Sequence, residues 1–283
     1  MIQMTRQFAT AASQQSMRIK SIRKAWFSRS SLQWDGRISM VQGASRGIGL
    51  EFVKQLLERN GGNVIATCRN PLESTGLNEL KAKFSDRLDI LKLDITDENS
   101  IQASSNSIKE KFGHLNLLIN ASGVLSIPDV LHPETTLRKV EKSSLMLAYE
   151  VNAIGPILVT KIGGDTDIEG GFAVVANLSA RVGSIGDNGL GGWHSYRASK
   201  TALNQLTKNL AVEFGRRKDQ IVCLLLHPGT VDTDLSKPFQ KNVPNGKLFT
   251  KEFSVQKLLN VIDSAKISDN GKFFAWDGQL IQW

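Results

Sequence analysis

From Arg37 onward, apolar β-branched runs alternate with amphipathic helical stretches. That alternation predicts an α/β fold: a doubly wound parallel sheet of about seven strands with helices on both faces. Two local features agree with it. A glycine-rich turn at residues 43–49 joins the first strand directly to the first helix, and Tyr196 and Lys200 stand four residues apart in a late helical stretch.

In chain order the predicted strands cover residues 38–41, 63–67, 88–93, 115–119, 172–178, 221–226 and 273–275, each a short run rich in Val, Ile, Leu or Phe. Helices are predicted over residues 48–59, 101–112, 149–162, 196–214 and 255–264, where apolar residues recur at helical spacing. Gly163-Gly164-Asp165 and Gly170-Gly171 interrupt the run into the fifth strand and predict a loop. No internal repeat or low-complexity tract is evident.

The 283 residues are 41% hydrophobic and 22% charged. That suits one globular domain over residues 35–283 with a leader before it, and no apolar run predicts a membrane span. The net charge of +8 belongs mostly to the leader. Residues 1–34 carry Arg6, Arg18, Lys20, Arg23, Lys24 and Arg29 with no acid, leaving 29 basic against 27 acidic residues beyond them. Such balance gives no basis for a nucleic-acid interface. A basic, Ser-rich, acid-free leader predicts an organellar transit peptide, its Arg content favouring the mitochondrion and its Ser content keeping the plastid open; a disordered tail on a cytoplasmic enzyme is the alternative. Cys68 and Cys223 lie in apolar β-like runs and predict buried thiols rather than a disulfide or metal site.

The turn reads Gln42-Gly43-Ala44-Ser45-Arg46-Gly47-Ile48-Gly49. Glycines between a strand and a helix let backbone approach a pyrophosphate, and the helix start offers free N–H groups and the positive end of its dipole. Residues 43 and 45–49 are therefore candidate dinucleotide ligands, which makes the sheet Rossmann-type. The second strand ends Thr67-Cys68-Arg69-Asn70 without the acid that usually accepts from a ribose 2′-OH. Arg69 and Arg46 instead offer two guanidinium groups suited to a 2′-phosphate, so the predicted cofactor is NADP(H) rather than NAD(H).

In His194-Ser195-Tyr196-Arg197-Ala198-Ser199-Lys200 the spacing puts phenol and ammonium on one helix face. A cation there is expected to depress the phenol pKa and make it a proton shuttle.

These motifs, in this order, resemble the short-chain dehydrogenase/reductase family over about residues 37–276. The resemblance implies that Asn152, Ser179, Tyr196 and Lys200 are catalytic. Tyr196 would donate a proton to a carbonyl oxygen, Ser179 would position that oxygen, Lys200 would tune Tyr196 and hold the nicotinamide ribose, and Asn152 would seat a proton-relaying water. It also implies that Asp94 and Ile95 meet the adenine, that Asn120, Ser122 and Gly123 support the sheet beside the cofactor, and that Pro228, Gly229, Val231 and Thr233 flank the nicotinamide. Two departures stand out: Gln42 replaces the family's Thr, and Asn120-Ala121-Ser122-Gly123 replaces Asn-Asn-Ala-Gly. The glycine-rich stretch at residues 181–193 and the ending over residues 271–283 resemble the C-factor-like branch, named for a bacterial cell-contact signalling protein.

The expected function is hydride transfer between NADP(H) and a small carbonyl or alcohol, with Leu125, Trp193 and Phe239 as pocket walls. The resemblance implies a homodimer or homotetramer. The alternative is a cofactor-binding regulatory protein of C-factor type with little catalysis.

Overall fold

The computed structural model describes residues 36–59, 61–162 and 172–283. The predicted leader at 1–34 and the glycine loop at 163–171 lie outside the described residues.

The elements follow one another as β1 (Ile38–Gln42), α1 (Gly47–Arg59), β2 (Asn63–Cys68), α2 (Thr75–Lys83), β3 (Leu88–Lys92), α3 (Glu98–Phe112) and β4 (Leu117–Asn120). Next come α4 (Lys142–Tyr149), a π-helical turn (Glu150–Ile154), α5 (Gly155–Ile162), β5 (Ala173–Leu178), α6 (His194–Arg217) and β6 (Ile221–His227). Short strands β7 (Thr230–Val231) and β8 (Leu248–Phe249), α7 (Lys251–Asp263) and β9 (Lys272–Ala275) complete the order. Seven strands form one parallel sheet in the order β3-β2-β1-β4-β5-β6-β9, and β7 pairs with β8 beside it. The strand order reverses between β1 and β4, which opens a crevice at the C-terminal ends of those strands.

The central strands are buried on both faces, as continuous apolar runs require. One core cluster packs Met40, Ile65, Leu118, Val175 and Cys223 of the sheet against Ile101 and Ile108 of α3, Val159 of α5 and Phe214 of α6. Cys68 and Cys223 are both buried free thiols.

Three features differ from the sequence expectation. Helix α2 has only Leu77 buried, so it shows little of the amphipathic pattern that marks a helix. The helix expected to start at residue 149 begins at Lys142 and runs through the π turn into α5. This run is long and apolar enough to cross a membrane by length and composition alone. It contains fully buried Asn152, however, and contributes Val159 to the core cluster, as a core helix of a globular protein does. Strands β7 and β8, each two residues long, fell below any periodicity signal.

Candidate active site

The crevice begins at the turn between β1 and α1. Gly43 has φ of +80° and Gly47 of +58°, left-handed values that a side chain would strain. The Gly43 and Ala44 amides donate to the Thr67 carbonyl at 3.1 and 3.0 Å, tying the turn to β2. A Cβ on Gly43 would sit 2.8 Å from the Ser122 amide nitrogen, and one on Gly49 would collide with the Gly43 carbonyl. Ser45 and Arg46 then lead into α1, which opens with Gly47 and Ile48 and whose first turn leaves backbone amides without an intrahelical acceptor.

The two departures from the family pattern meet here. Gln42 Nε2 donates to Ser122 Oγ at 2.6 Å, and the Ser122 amide donates back to Gln42 Oε1 at 3.4 Å. A longer side chain on β1 and a hydroxyl beyond β4 thus replace one another's usual partners and clamp the turn to the loop after β4.

On the adenine side, Asp94 accepts from the Thr96 amide and hydroxyl at 3.0 and 2.8 Å. Burial alone would raise its carboxyl, but these bonds, with Arg69 and Lys92 nearby, hold it below the usual carboxylate range. Arg69 is exposed just beyond β2. Arg46 is exposed in the turn and lies 3.5 Å from Asp234 across the crevice. Ile95 packs against Gly155, where a Cβ would sit 2.8 Å from the Ile95 carbonyl oxygen.

Asn120 is buried at the end of β4. Its Nδ2 donates to Asn177 Oδ1 at 2.7 Å and to the Pro156 carbonyl at 3.2 Å, and Asn177 donates on to Thr207 at 2.8 Å. This chain of bonds stitches β4, β5, α5 and α6 together. On the other rim, the Pro228 carbonyl accepts from Ser254 and the Val231 carbonyl from Ser236, at 2.8 and 2.6 Å. Gly229, at φ +78°, lies under the Phe249 ring, and Thr233 Cγ2 would be 3.7 Å from a Cβ on Gly47. The Thr233 loop therefore faces the glycine turn across the crevice.

Asn152 sits in the π turn, whose wider backbone is a recurrent feature of functional helices. Its carboxamide accepts from the Val124 amide at 2.7 Å and donates to the Val124 carbonyl and Ser199 Oγ at 2.9 and 3.0 Å. A Cβ on Gly123 would lie 3.3 Å from Asn152 Oδ1 and 3.6 Å from Lys200 Nζ, so Gly123, Asn152 and Lys200 converge. Lys200 Nζ donates to the Leu178 carbonyl at 2.8 Å and lies 5.9 Å from the Tyr196 ring centroid. Leu125 is buried in the loop after Gly123, and the Trp193 ring lies 6.2 Å from Tyr196 and 5.0 Å from Phe239.

One expectation needs correction. Lys200 was expected to depress the Tyr196 phenol, but burial dominates and pushes it up to about 12, while burial lowers Lys200 to about 8. Ser179, just beyond β5, donates its hydroxyl to Asn204 Oδ1 at 2.6 Å in a buried contact, one helical turn beyond Lys200. Asn204, which no sequence motif marked, also donates to the Gly183 carbonyl at 3.1 Å.

Comparisons with known proteins fit this geometry. Residues 37–244 match the short chain dehydrogenase family. The chain is 31% identical over 249 residues to a 1-hydroxy-2-glutathionyl-2-methyl-3-butene dehydrogenase of a Rhodococcus species, covering 86% of this chain and 98% of that protein. It is 31% identical over 171 residues to the C-signal of Myxococcus xanthus, covering 60% and 94% of the two chains. The NADPH-bound carbonyl reductase from chicken fatty liver superposes with a TM-score of 0.77 at 33% identity, over 89% of this chain and all of that one. Glycine turn, parallel sheet and matched length agree: the chain belongs to the short chain dehydrogenase family of oxidoreductases.

Proposed function

We propose that the protein is an NADP(H)-dependent carbonyl reductase, able in reverse to oxidise the alcohol, acting on a small carbonyl substrate. The observation that carries this reading is the convergence of Gly123, Asn152 and Lys200 beside the glycine turn, with the Tyr196 ring centroid 5.9 Å from Lys200 Nζ. That grouping places a phenol, the form of tyrosine that can donate a proton, next to a cation at the end of the crevice.

The side-chain-free cradle of Gly43, Gly47 and Gly49, closed against Ser122 and facing Thr233, fits a dinucleotide pyrophosphate at a helix N-terminus. Residues 43 and 45–49 would hold the pyrophosphate, Asp94 and Ile95 the adenine, and Ser122, Gly123, Pro228, Gly229, Val231 and Thr233 the nicotinamide half. Arg46 and Arg69 would hold the 2′-phosphate that distinguishes NADP(H), and the NADPH-bound chicken carbonyl reductase supports that preference. When bound, the nicotinamide supplies the hydride.

Tyr196 gives its proton to the substrate oxygen as that oxygen gains charge. The Lys200 ammonium beside it stabilises the phenolate left behind, and Asn152 holds the Val124 backbone so that the loop after Gly123 keeps its place. Ser179, tied to α6 through Asn204, would hydrogen-bond and position the substrate oxygen. A regulatory role without catalysis is not favoured, because a binding module has no need of a tyrosine and a buried lysine on one helix face.

NADPH and NADH oxidation over a panel of aldehydes, ketones and quinones tests the reading, with Tyr196→Phe as control. Turnover with NADPH that falls at least ~100-fold in the variant is the expected result. Equal turnover in the variant would remove Tyr196 from the mechanism.

A further inference from the structure

Helix α6 carries Tyr196 as its third residue, so whatever fixes the first turn of that helix fixes the phenol. The residue at its N-cap is Trp193, whose backbone is left-handed at φ 50° and ψ 45° and whose side chain makes no capping bond. For a bulky residue this conformation is strained and persists only where the surroundings impose it.

Those surroundings are Glu134. It lies 61 positions before Ser195 in the chain, in the segment between β4 and α4, and is 2% exposed. One carboxylate oxygen accepts from the Ser195 amide at 3.1 Å and the other from the Ser195 hydroxyl. The Glu134 carbonyl accepts from the Trp193 amide at 2.5 Å, and a Cβ on Gly192 would lie 3.4 Å from that same oxygen. A buried anion thus sits on the positive end of the helix dipole and supplies the cap that Trp193 cannot. Through these bonds it holds the Trp193 backbone in its left-handed turn. It thereby sets the Trp193 ring against Tyr196 on one side and Phe239 on the other. Asn152 fastens the start of the same segment at Val124, so the substrate-side segment is pinned at both ends by buried side chains.

We infer that Glu134 is a positioning residue of the active site: a long-range cap of α6 that sets Tyr196 and the Trp193–Phe239 wall where the substrate carbonyl meets them. The inference rests on the carbonyl reductase reading for its effect on turnover, but not for its effect on Trp193.

The test uses the full chain carrying Glu134→Ala, Glu134→Gln or Ser195→Ala, each also in a Trp193→Phe background. Tryptophan emission, the dissociation constant for NADPH, and kcat and KM for a reduced carbonyl are measured for each. Glu134→Ala is expected to shift emission to the red only where Trp193 is present. It should lower kcat/KM at least tenfold, with the NADPH dissociation constant within about twofold of the parent. Glu134→Gln, which keeps an acceptor for the Ser195 amide, is expected to restore the emission and most of the turnover. Ser195→Ala is expected to fall between the two, and it decides the matter if Glu134→Ala does not fold. Unchanged emission and turnover in folded Glu134→Ala, or in Ser195→Ala, would overturn the inference. A Trp193-dependent shift in a protein that turns over no carbonyl, parent included, would support the cap and overturn the reductase reading instead.

Discussion

At the scale of single residues, two buried ionisable groups and one hydroxyl make distinct predictions. Lys200, lowered to about 8 by burial, is charged below that pH and neutral above it. Reductive kcat/KM is therefore expected to fall as pH rises through about 8, well below the Tyr196 value of about 12. A pH–rate profile flat to pH 10 would contradict this assignment. Ser179→Ala removes a buried hydrogen bond to Asn204 and, on the proposed reading, the donor to the substrate oxygen. It is expected to lower stability by about 1 kcal/mol and kcat/KM at least ~10-fold, as thermal melts and steady-state kinetics would show. Unchanged kcat/KM would remove Ser179 from the substrate oxygen. The sequence made Tyr196 and Lys200 legible because a spacing of four on a helix fixes a shared face. It could not show Glu134, whose partner is 61 residues away.

At the scale of elements, the turn between β1 and α1 depends on the contact between Gln42 and Ser122. Removing either partner leaves the other polar group part-buried and unpaired, so Gln42→Ala and Ser122→Ala should each weaken NADPH binding several-fold. The double variant should lose less than the two single effects combined. A double-mutant cycle on the NADPH dissociation constant checks this, and strict additivity would mean that the two do not cooperate. The strands and the long helices were readable because their apolar periodicity is unbroken over enough residues. Helix α2 was not, since a helix that buries only Leu77 carries almost no pattern. The start of α4 was hidden for a different reason: Lys142-Ser143-Ser144 looks like a loop until tertiary packing draws it into the helix.

At the scale of the whole molecule, the sheet sets the order of events: its C-terminal edge gathers the glycine turn, Asn120, Ser179 and His227 along one crevice. His227, at the end of β6, is lowered to about 4, first by burial and then by Arg181, with Asp277 opposing. Because its folded value lies below the unfolded one near 6.5, the folded state binds fewer protons between those values. Its contribution to stability is complete above about 6.5 and is lost as pH falls towards about 4, a change of about 3 kcal/mol. Denaturant melts of the parent and of His227→Asn over pH 7 to 4 should show a shallower decline in the variant. The same crevice carries the central claim, that this chain moves hydride to a carbonyl carbon while Tyr196 supplies the proton. The most direct test incubates the protein with NADPH deuterated at the nicotinamide C4 and a carbonyl that it turns over, and analyses the alcohol by mass and NMR. One deuterium bonded to the carbinol carbon in the parent, with product lost in Tyr196→Phe, is the predicted result. Tight NADPH binding with no label reaching any carbonyl of the panel, from either C4 face, would contradict the account.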